Sequence, residues 1–349
     1  MLIFDAHLDL SWNAVGWNRD LLLSVEEIRL AEAHLTEKGR GTGTVSLPAL
    51  REGRVAISIA TVLARANRLG TSSIDFRNQE IAFAVAQGQL AYYRILQSQG
   101  VCRMIRTLAQ LQASVSEWTE DADSAKFGFV LSMEGADPIV SPAQVPQWWD
   151  DGLRLVGMAH YGPSAYAHGT GCEGGLTAKA PDLLRAMAEC GIILDLTHLA
   201  DQSFWEALKL WKGPVIASHN NCRTLVPGDR QYSDDQIRAI IERGGVIGAA
   251  FDAWMLTPGW KSGSQRPPLE SVVDHMDHIC QLAGNAEHIA IGSDLDGGFG
   301  TEQCPQGLDT IADLRKIPAI LKDRGYSDAD ILATMNGNWL NLFERAWQG

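Results

Sequence analysis

Near the start of the chain, in the run Asp5-Ala6-His7-Leu8-Asp9, a histidine and an aspartate stand two residues apart. On an extended strand, side chains at that spacing point to the same side. A ring nitrogen and a carboxylate oxygen presented together can grip one divalent metal, a combination suited to zinc. Comparable residues close other apolar runs. Glu134 ends Ser132-Met133-Glu134-Gly135, His160 follows 153–159, and His198 and His219 follow 192–196 and 215–217. Asp294 and Asp296 lie in Gly292-Ser293-Asp294-Leu295-Asp296-Gly297. A glutamate at the end of a buried run needs a cation, because an unpaired buried charge is costly. Imidazoles and carboxylates gathered at one edge describe a site that holds metal and activates water for hydrolysis.

The elements that must position these residues are short aliphatic strands separated by amphipathic helices. In 191–221 two buried runs, 192–196 and 215–217, flank a helical pattern with Phe204, Ala207 and Leu208 on one face, and Lys212-Gly213-Pro214 stops it. Eight such strands are predicted: 2–6, 55–63, 127–133, 153–159, 192–196, 215–217, 246–250 and 289–292. Helices are expected over 81–98, 180–189, 203–210, 234–243, 269–282 and 309–324. Repeated alternation of this kind is the signature of a (β/α)8 TIM barrel, whose chemistry sits at the carboxyl ends of the strands. No linker divides the chain, so residues 1–349 are expected to form a single catalytic domain with long loops after strands 1 and 2. The first loop, 10–54, carries a helix predicted over 25–37 and a glycine-rich stretch, 39–44. The second, 64–126, reads as outer-ring helix without chemistry. The tryptophan-rich segments Trp148-Trp149 and 254–260 are expected around the barrel mouth.

Composition excludes several classes. A net charge of −13 disfavours nucleic acid, which requires concentrated basic surface. No apolar run is long enough to span a membrane, and Leu2-Ile3-Phe4 leads into Asp5 without the basic region or cleavage site of a signal peptide. The six cysteines are scattered without a C-x-x-C pair, as expected of reduced thiols in a cytoplasmic protein. Of the remaining histidines, His275 and His278 share a helix face that leads into the last strand from outside, and structural or surface roles are expected. His34 and His288 read as solvated or capping, and His168 lies in a glycine-rich loop that is a candidate pocket wall.

The motifs, taken in order, resemble the renal (membrane) dipeptidase family, peptidase family M19. The resemblance rests on Asp5-Ala6-His7-Leu8-Asp9, Glu134-Gly135, Asp195-Leu196-Thr197-His198, Ser218-His219 with Arg223, and Gly292 through Gly297. Gly175-Leu176-Thr177 and Asp274-His275-Met276-Asp277-His278-Ile279 are also similar to the family, and the likeness extends to the C-terminal helix at 338–343. It implies a zinc-dependent dipeptidase with two zinc ions per chain, other divalent metals being possible, which act through a bridging water. It further implies that His7 and Asp9 bind one ion, His198 and His219 the other, and that Glu134 bridges them. His160 is implied as the substrate-side hydrogen-bond donor, Arg230 as the grip on the substrate carboxylate, and Asp294 as the proton-transfer acid near the substrate amine. The implied partner is a small dipeptide, with a homodimer as the assembly. The chain departs from the family at Ala6, where glycine is usual, and at Gln231, where asparagine is usual.

Rival readings are another binuclear amidohydrolase acting on β-lactams or other small amides, a phosphoesterase or deoxyribonuclease-type barrel, and a non-catalytic barrel. Acidic charge argues against a polynucleotide substrate. A metal-bridging lysine would stand at the fourth strand end, which His160 occupies instead.

Overall fold

The computed structural model of the protein describes residues 1–67, 70 and 72–348. Eight parallel strands form one sheet: β1 (Ile3–Leu8), β2 (Val55–Leu63), β3 (Phe127–Glu134), β4 (Leu153–Gly157), β5 (Ile193–Asp195), β6 (Val215–Ile216), β7 (Ile247–Ala249) and β8 (Ile289–Ile291). Their order is β7-β8-β1-β2-β3-β4-β5-β6. A parallel bridge from Ala217 to Ile247 joins the two end strands and rounds the sheet into a barrel. This is the (β/α)8 architecture that the alternation implied. Every residue of these strands is buried, which explains their continuous aliphatic composition.

Register is what builds the site. Leu63 pairs with Glu134, Glu134 with Gly157, Gly157 with Asp195, and Asp195 with Ile216. These strands therefore end level. His160, His198 and His219 each follow by three residues at the same rim, where Glu134 already stands. Helices return the chain to the opposite end, and local chemistry fixes their limits. Ser233 and Gln236 form a capping box before the helix Asp234–Glu242, and Gly191, at φ +77°, ends the helix Ala180–Cys190 in the left-handed region that a side chain resists. The C-terminal helix Asn338–Trp347 is anchored to the barrel by Phe343, stacked on Phe4 with ring centroids 5.7 Å apart, and by Trp339, whose Nε1 donates to the Ile291 carbonyl.

The connections between strands differ from expectation in three respects. The helix predicted over 25–37 spans only Val25–Ala31, because the Glu32 carboxylate turns inward to Arg19 at 2.8 Å and to Arg40 at 3.3 Å, which ends the helical run. The second connection holds more than the helix Gln79–Ser98. Cys102–Met104 adds a short strand to β3, and Arg65–Ala66 pairs with Asp75–Phe76 near the barrel mouth. Trp148 does not pack at the mouth. It is buried on the outer helix Val145–Asp151, edge-on to Phe83 of the helix Gln79–Ser98, while Trp149 stacks on Arg154. Among the described residues no helix is long and apolar enough to cross a membrane.

Candidate metal centre and its pocket

Glu134 lies at the centre of the rim. Its Oε1 stands 3.3 Å from His198 Nε2, 3.4 Å from His219 Nε2, 3.5 Å from His7 Nε2 and 3.9 Å from His160 Nε2. His7 Nε2 also lies 3.7 Å from Asp9 Oδ2 and 3.7 Å from Asp294 Oδ1. Three donor sets fall within reach of a single ion: His7 with Glu134 and His219, Glu134 with His160 and His198, and His7 with Asp9 and Asp294. The structure thus brings together every metal ligand named from the sequence, with Glu134 shared between two sets. It also places Asp294 closer to the ligands than a purely substrate-facing acid would stand.

The outer hydrogen bonds fix which face of each ring is basic. Thr170 Oγ1 donates its one proton to the His198 carbonyl and so accepts from His198 Nδ1, which leaves a lone pair on Nε2. Ser218 Oγ donates to Thr197 and accepts from His219 Nδ1, with the same result. These two Nε2 atoms face each other at 3.1 Å. Opposed lone pairs at that distance call for a cation, as does His7 Nε2, a buried atom without a hydrogen-bond partner. His160 differs. The Arg65 guanidinium, which only donates, approaches its Nδ1 at 3.4 Å, so His160 carries its proton on Nε2 and presents a donor to the cavity. The residues present fit a divalent pair held by nitrogen and oxygen.

Electrostatics agree. Burial, joined by the charge of Arg230 at His198 and by those of His7 and Arg230 at His219, holds both rings well below the ordinary histidine range, and burial with the charge of Arg65 does the same to His160. All three are neutral rings. Burial also acts downward on His7, but the carboxylates of Glu134, Asp9 and Asp294 outweigh it and push His7 up to about 10. That proton stands where a metal's charge would serve. Burial raises Glu134 well above the carboxylate range and pushes Asp294 up to about 7. Asp294 and His198 take left-handed backbone conformations, φ +59° and +67°, a region that few non-glycine residues of this chain adopt.

A cavity of about 160 Å³ opens beside this cluster. Its polar wall includes Arg230, whose Nη2 donates to the His219 carbonyl at 2.9 Å while Nη1, also buried, has no partner. Arg223, the other arginine of this segment, is committed to Asp201 through bonds of 2.7 and 2.8 Å and does not line the cavity. Asp296 is not at the site. It accepts from Thr44, Val45 and Arg19 and ties the first loop to the last strand end. His168 is occupied with the Gly175 carbonyl and is not in the cavity wall. His275 accepts from the Cys222 amide and His278 pairs with Asp234, both structural as expected. His34 is exposed, and His288 caps the Gly245 carbonyl.

Sequence reading missed Asp252, Tyr161 and Trp12 as cavity residues, and Arg65 as the partner of His160, whereas Trp254 lies at the mouth as expected. Asp252 was within reach of the rule that found the others, since it follows β7 by three residues. The second connection, read as free of chemistry, supplies Arg65 as well as Ser72 and Ile74 beside the cavity.

A parallel eight-stranded barrel whose rim gathers neutral imidazoles around a shared glutamate defines a metal-binding barrel of the hydrolase type. The profile of membrane dipeptidase (peptidase family M19) matches residues 1–348, and the chain belongs to that family. Among curated relatives, an uncharacterised protein from the pqqA 5′ region of Klebsiella pneumoniae is 31% identical over 174 residues, covering 50% of this chain and 62% of that protein. The dipeptidase verJ of Clonostachys rogersoniana is 29% identical over 239 residues, covering 67% of this chain and 59% of that one. The chain thus spans about three-fifths of the length of these relatives. Among solved structures, dipeptidase AC, a metallopeptidase of family M19, superposes with a TM-score of 0.82 at 24% identity over 100% of this chain and 99% of the other. A Rhodobacter sphaeroides metallopeptidase, solved with a phosphinate mimic of the dipeptide L-Ala-D-Ala, gives 0.81 at 24% identity, with 99% of each chain covered. At that identity the likeness is one of fold.

Proposed function

We propose that the protein is a metal-dependent dipeptidase, with zinc as its native metal and a free dipeptide as its substrate. The observation that carries this reading is the pairing of a two-ion ligand cluster with a buried, half-unpartnered Arg230 in a cavity of about 160 Å³. A guanidinium with a free donor wants an anion, and the carboxylate at the end of a short peptide supplies one. The small volume favours two residues over a longer chain. Family membership and the dipeptide mimic bound by the Rhodobacter protein support the same choice.

His7 and Asp9 would hold one ion, His198 and His219 the other, and Glu134 both. Bound there, the pair would supply an acidified water and polarise the scissile carbonyl. Arg230 holds the terminal carboxylate and so fixes which carbonyl faces the cluster. His160 donates from Nε2 to the carbonyl oxygen as negative charge grows on it. Asp294 accepts the proton of the attacking water and returns it to the leaving amine, a transfer suited to an acid whose affinity for protons has been raised toward neutrality. One peptide bond is broken, and water contributes hydroxyl to the acid and hydrogen to the amine. The six unpaired cysteines support a reducing compartment, and we place the protein in the cytoplasm.

The test is a matrix of free, N-acetylated and C-amidated dipeptides and matching tripeptides, assayed after reconstitution with zinc, manganese or cobalt. Free dipeptides should be hydrolysed fastest and activity should vanish on chelation. Equal turnover of tripeptides and amides would sink the dipeptidase reading in favour of a broader amidohydrolase.

A further inference from the structure

Four carboxylates line the cavity: Asp9, Glu134, Asp252 and Asp294. The first two belong to the metal cluster and Asp294 to proton transfer beside the substrate amine, which leaves Asp252 without a role. Its surroundings are unusual for a buried acid. Both oxygens accept from the single amide nitrogen of Gln303, at 2.7 and 2.8 Å, and Oδ1 accepts from the Trp254 backbone N–H at 3.3 Å. Among the described residues no lysine, arginine or histidine nitrogen forms an ion pair with it, whereas the buried Asp296 and Glu32 both have Arg19. Burial raises Asp252 to about 6, against the opposing pull of its Gln303 hydrogen bonds and the charge of Lys38. A carboxylate that is 6% exposed, open to the substrate cavity and lacking a cation is held ready for one from the ligand.

We propose that Asp252 is a specificity-determining residue that binds the cationic side chain of a basic residue, lysyl or arginyl, in the substrate dipeptide. The proposal rests on the dipeptidase reading and extends it. Charge counting favours a side chain over the α-ammonium. Arg230 matches one carboxylate, and Asp294 stands beside the ligand cluster, where the α-ammonium must lie next to the scissile bond. A second acid is matched only by a second cation. The wall between supports the choice, since Trp12, Trp254 and Met255 offer apolar surface for a methylene stem and aromatic faces for its charged head.

The experiment compares lysyl-alanine and arginyl-alanine with their neutral counterparts, norleucyl-alanine and citrullyl-alanine, and includes alanyl-lysine to locate the subsite. The metal-loaded wild type, Asp252→Asn and Asp252→Glu are assayed. The wild type should prefer the basic member of each pair. Asp252→Asn keeps acceptors for Gln303 and Trp254, yet should lower kcat/KM for the basic dipeptides by about 10-fold to 150-fold, the worth of one charged hydrogen bond. The neutral dipeptides should change by less than about threefold on the same scale, and Asp252→Glu should restore the preference. A uniform loss across basic and neutral substrates would overturn the proposal and make Asp252 a scaffold for the Gln303 loop or a partner of the α-ammonium. A wild type indifferent to charge would overturn it too, while turnover of neutral dipeptides left the dipeptidase reading standing. Failure to hydrolyse any dipeptide would overturn both.

Discussion

Replacing Arg230 tests the substrate class most directly. The guanidinium is 3% exposed; Nη2 is bound to the His219 carbonyl and Nη1 is free. Arg230→Ala therefore removes two things, the anion grip and a donor to the backbone of a proposed metal ligand. Arg230→Lys keeps the charge but replaces a planar fork with a point donor, so the two variants bracket the effect. A charged hydrogen bond is worth about 1.5–3 kcal/mol, which predicts a rise in KM for free dipeptides of about 10-fold to 150-fold in the alanine variant and less in the lysine variant. Dipeptide amides lack the anion; they should be poor substrates of the wild type and should lose little more. Comparing acid and amide on each protein gives a double-mutant cycle whose coupling energy isolates the carboxylate contact. Metal content must be measured alongside, because the His219 carbonyl loses its partner. Equal penalties for acid and amide, with metal retained, would refute the reasoning. Arg223 would not rescue it, since that side chain is already spent on Asp201.

Glu134→Gln removes the charge shared by two donor sets and should lower metal content by at least one ion per chain, read by elemental analysis; full occupancy with full activity would end its assignment as a bridge. Asp294→Asn should depress kcat by several orders of magnitude with metal content unchanged, whereas metal lost in step with activity would make Asp294 a ligand, a role its 3.7 Å approach to His7 keeps in view. His275 titrates away from the site: burial pulls it down to about 4, against about 6.5 when unfolded. Between those values the unfolded chain binds the extra proton, so stability falls as pH drops from 6.5 toward 4, by at most roughly 3 kcal/mol from this residue. Denaturant melts across that window should show a shallower slope for His275→Gln, and an unchanged slope would contradict the shift.

Much of the barrel was legible because buried parallel strands write themselves as aliphatic runs, and because the runs that meet at this rim are followed by a candidate residue within three positions. His7, Glu134, His160, His198 and His219 were found by that local rule. What escaped the sequence was set by contacts far apart in the chain. Arg19 meets Asp296 across 277 positions and Arg65 meets His160 across 95, and no periodicity encodes either meeting. The helix over 25–37 was overestimated for a more local reason, since its last turns give way to the pairing of Glu32 with Arg19, 13 positions away. Cys102–Met104 is three residues with an arginine at the centre, too short to stand out as a strand until β3 is beside it.

Asp252 shows where the local rule was incomplete rather than wrong. The run 246–250 passes through Phe251 before its acid, so the strand reads as ending in packing. In the structure the acid follows β7 by three residues, the offset of His160, His198 and His219 from their own strands, and lies in the cavity wall, where Gln303 of the last loop holds it. The metal cluster is built from level strand ends, which a shared register makes uniform. The cavity wall adds to these rim residues others carried on the loops: Tyr161, Arg230, Asp252 and Trp254. Ligands of the ions must share one geometry, because a coordination sphere tolerates little error. Residues that would read a substrate are free to differ, and the loops that carry them are where a substrate preference would be written.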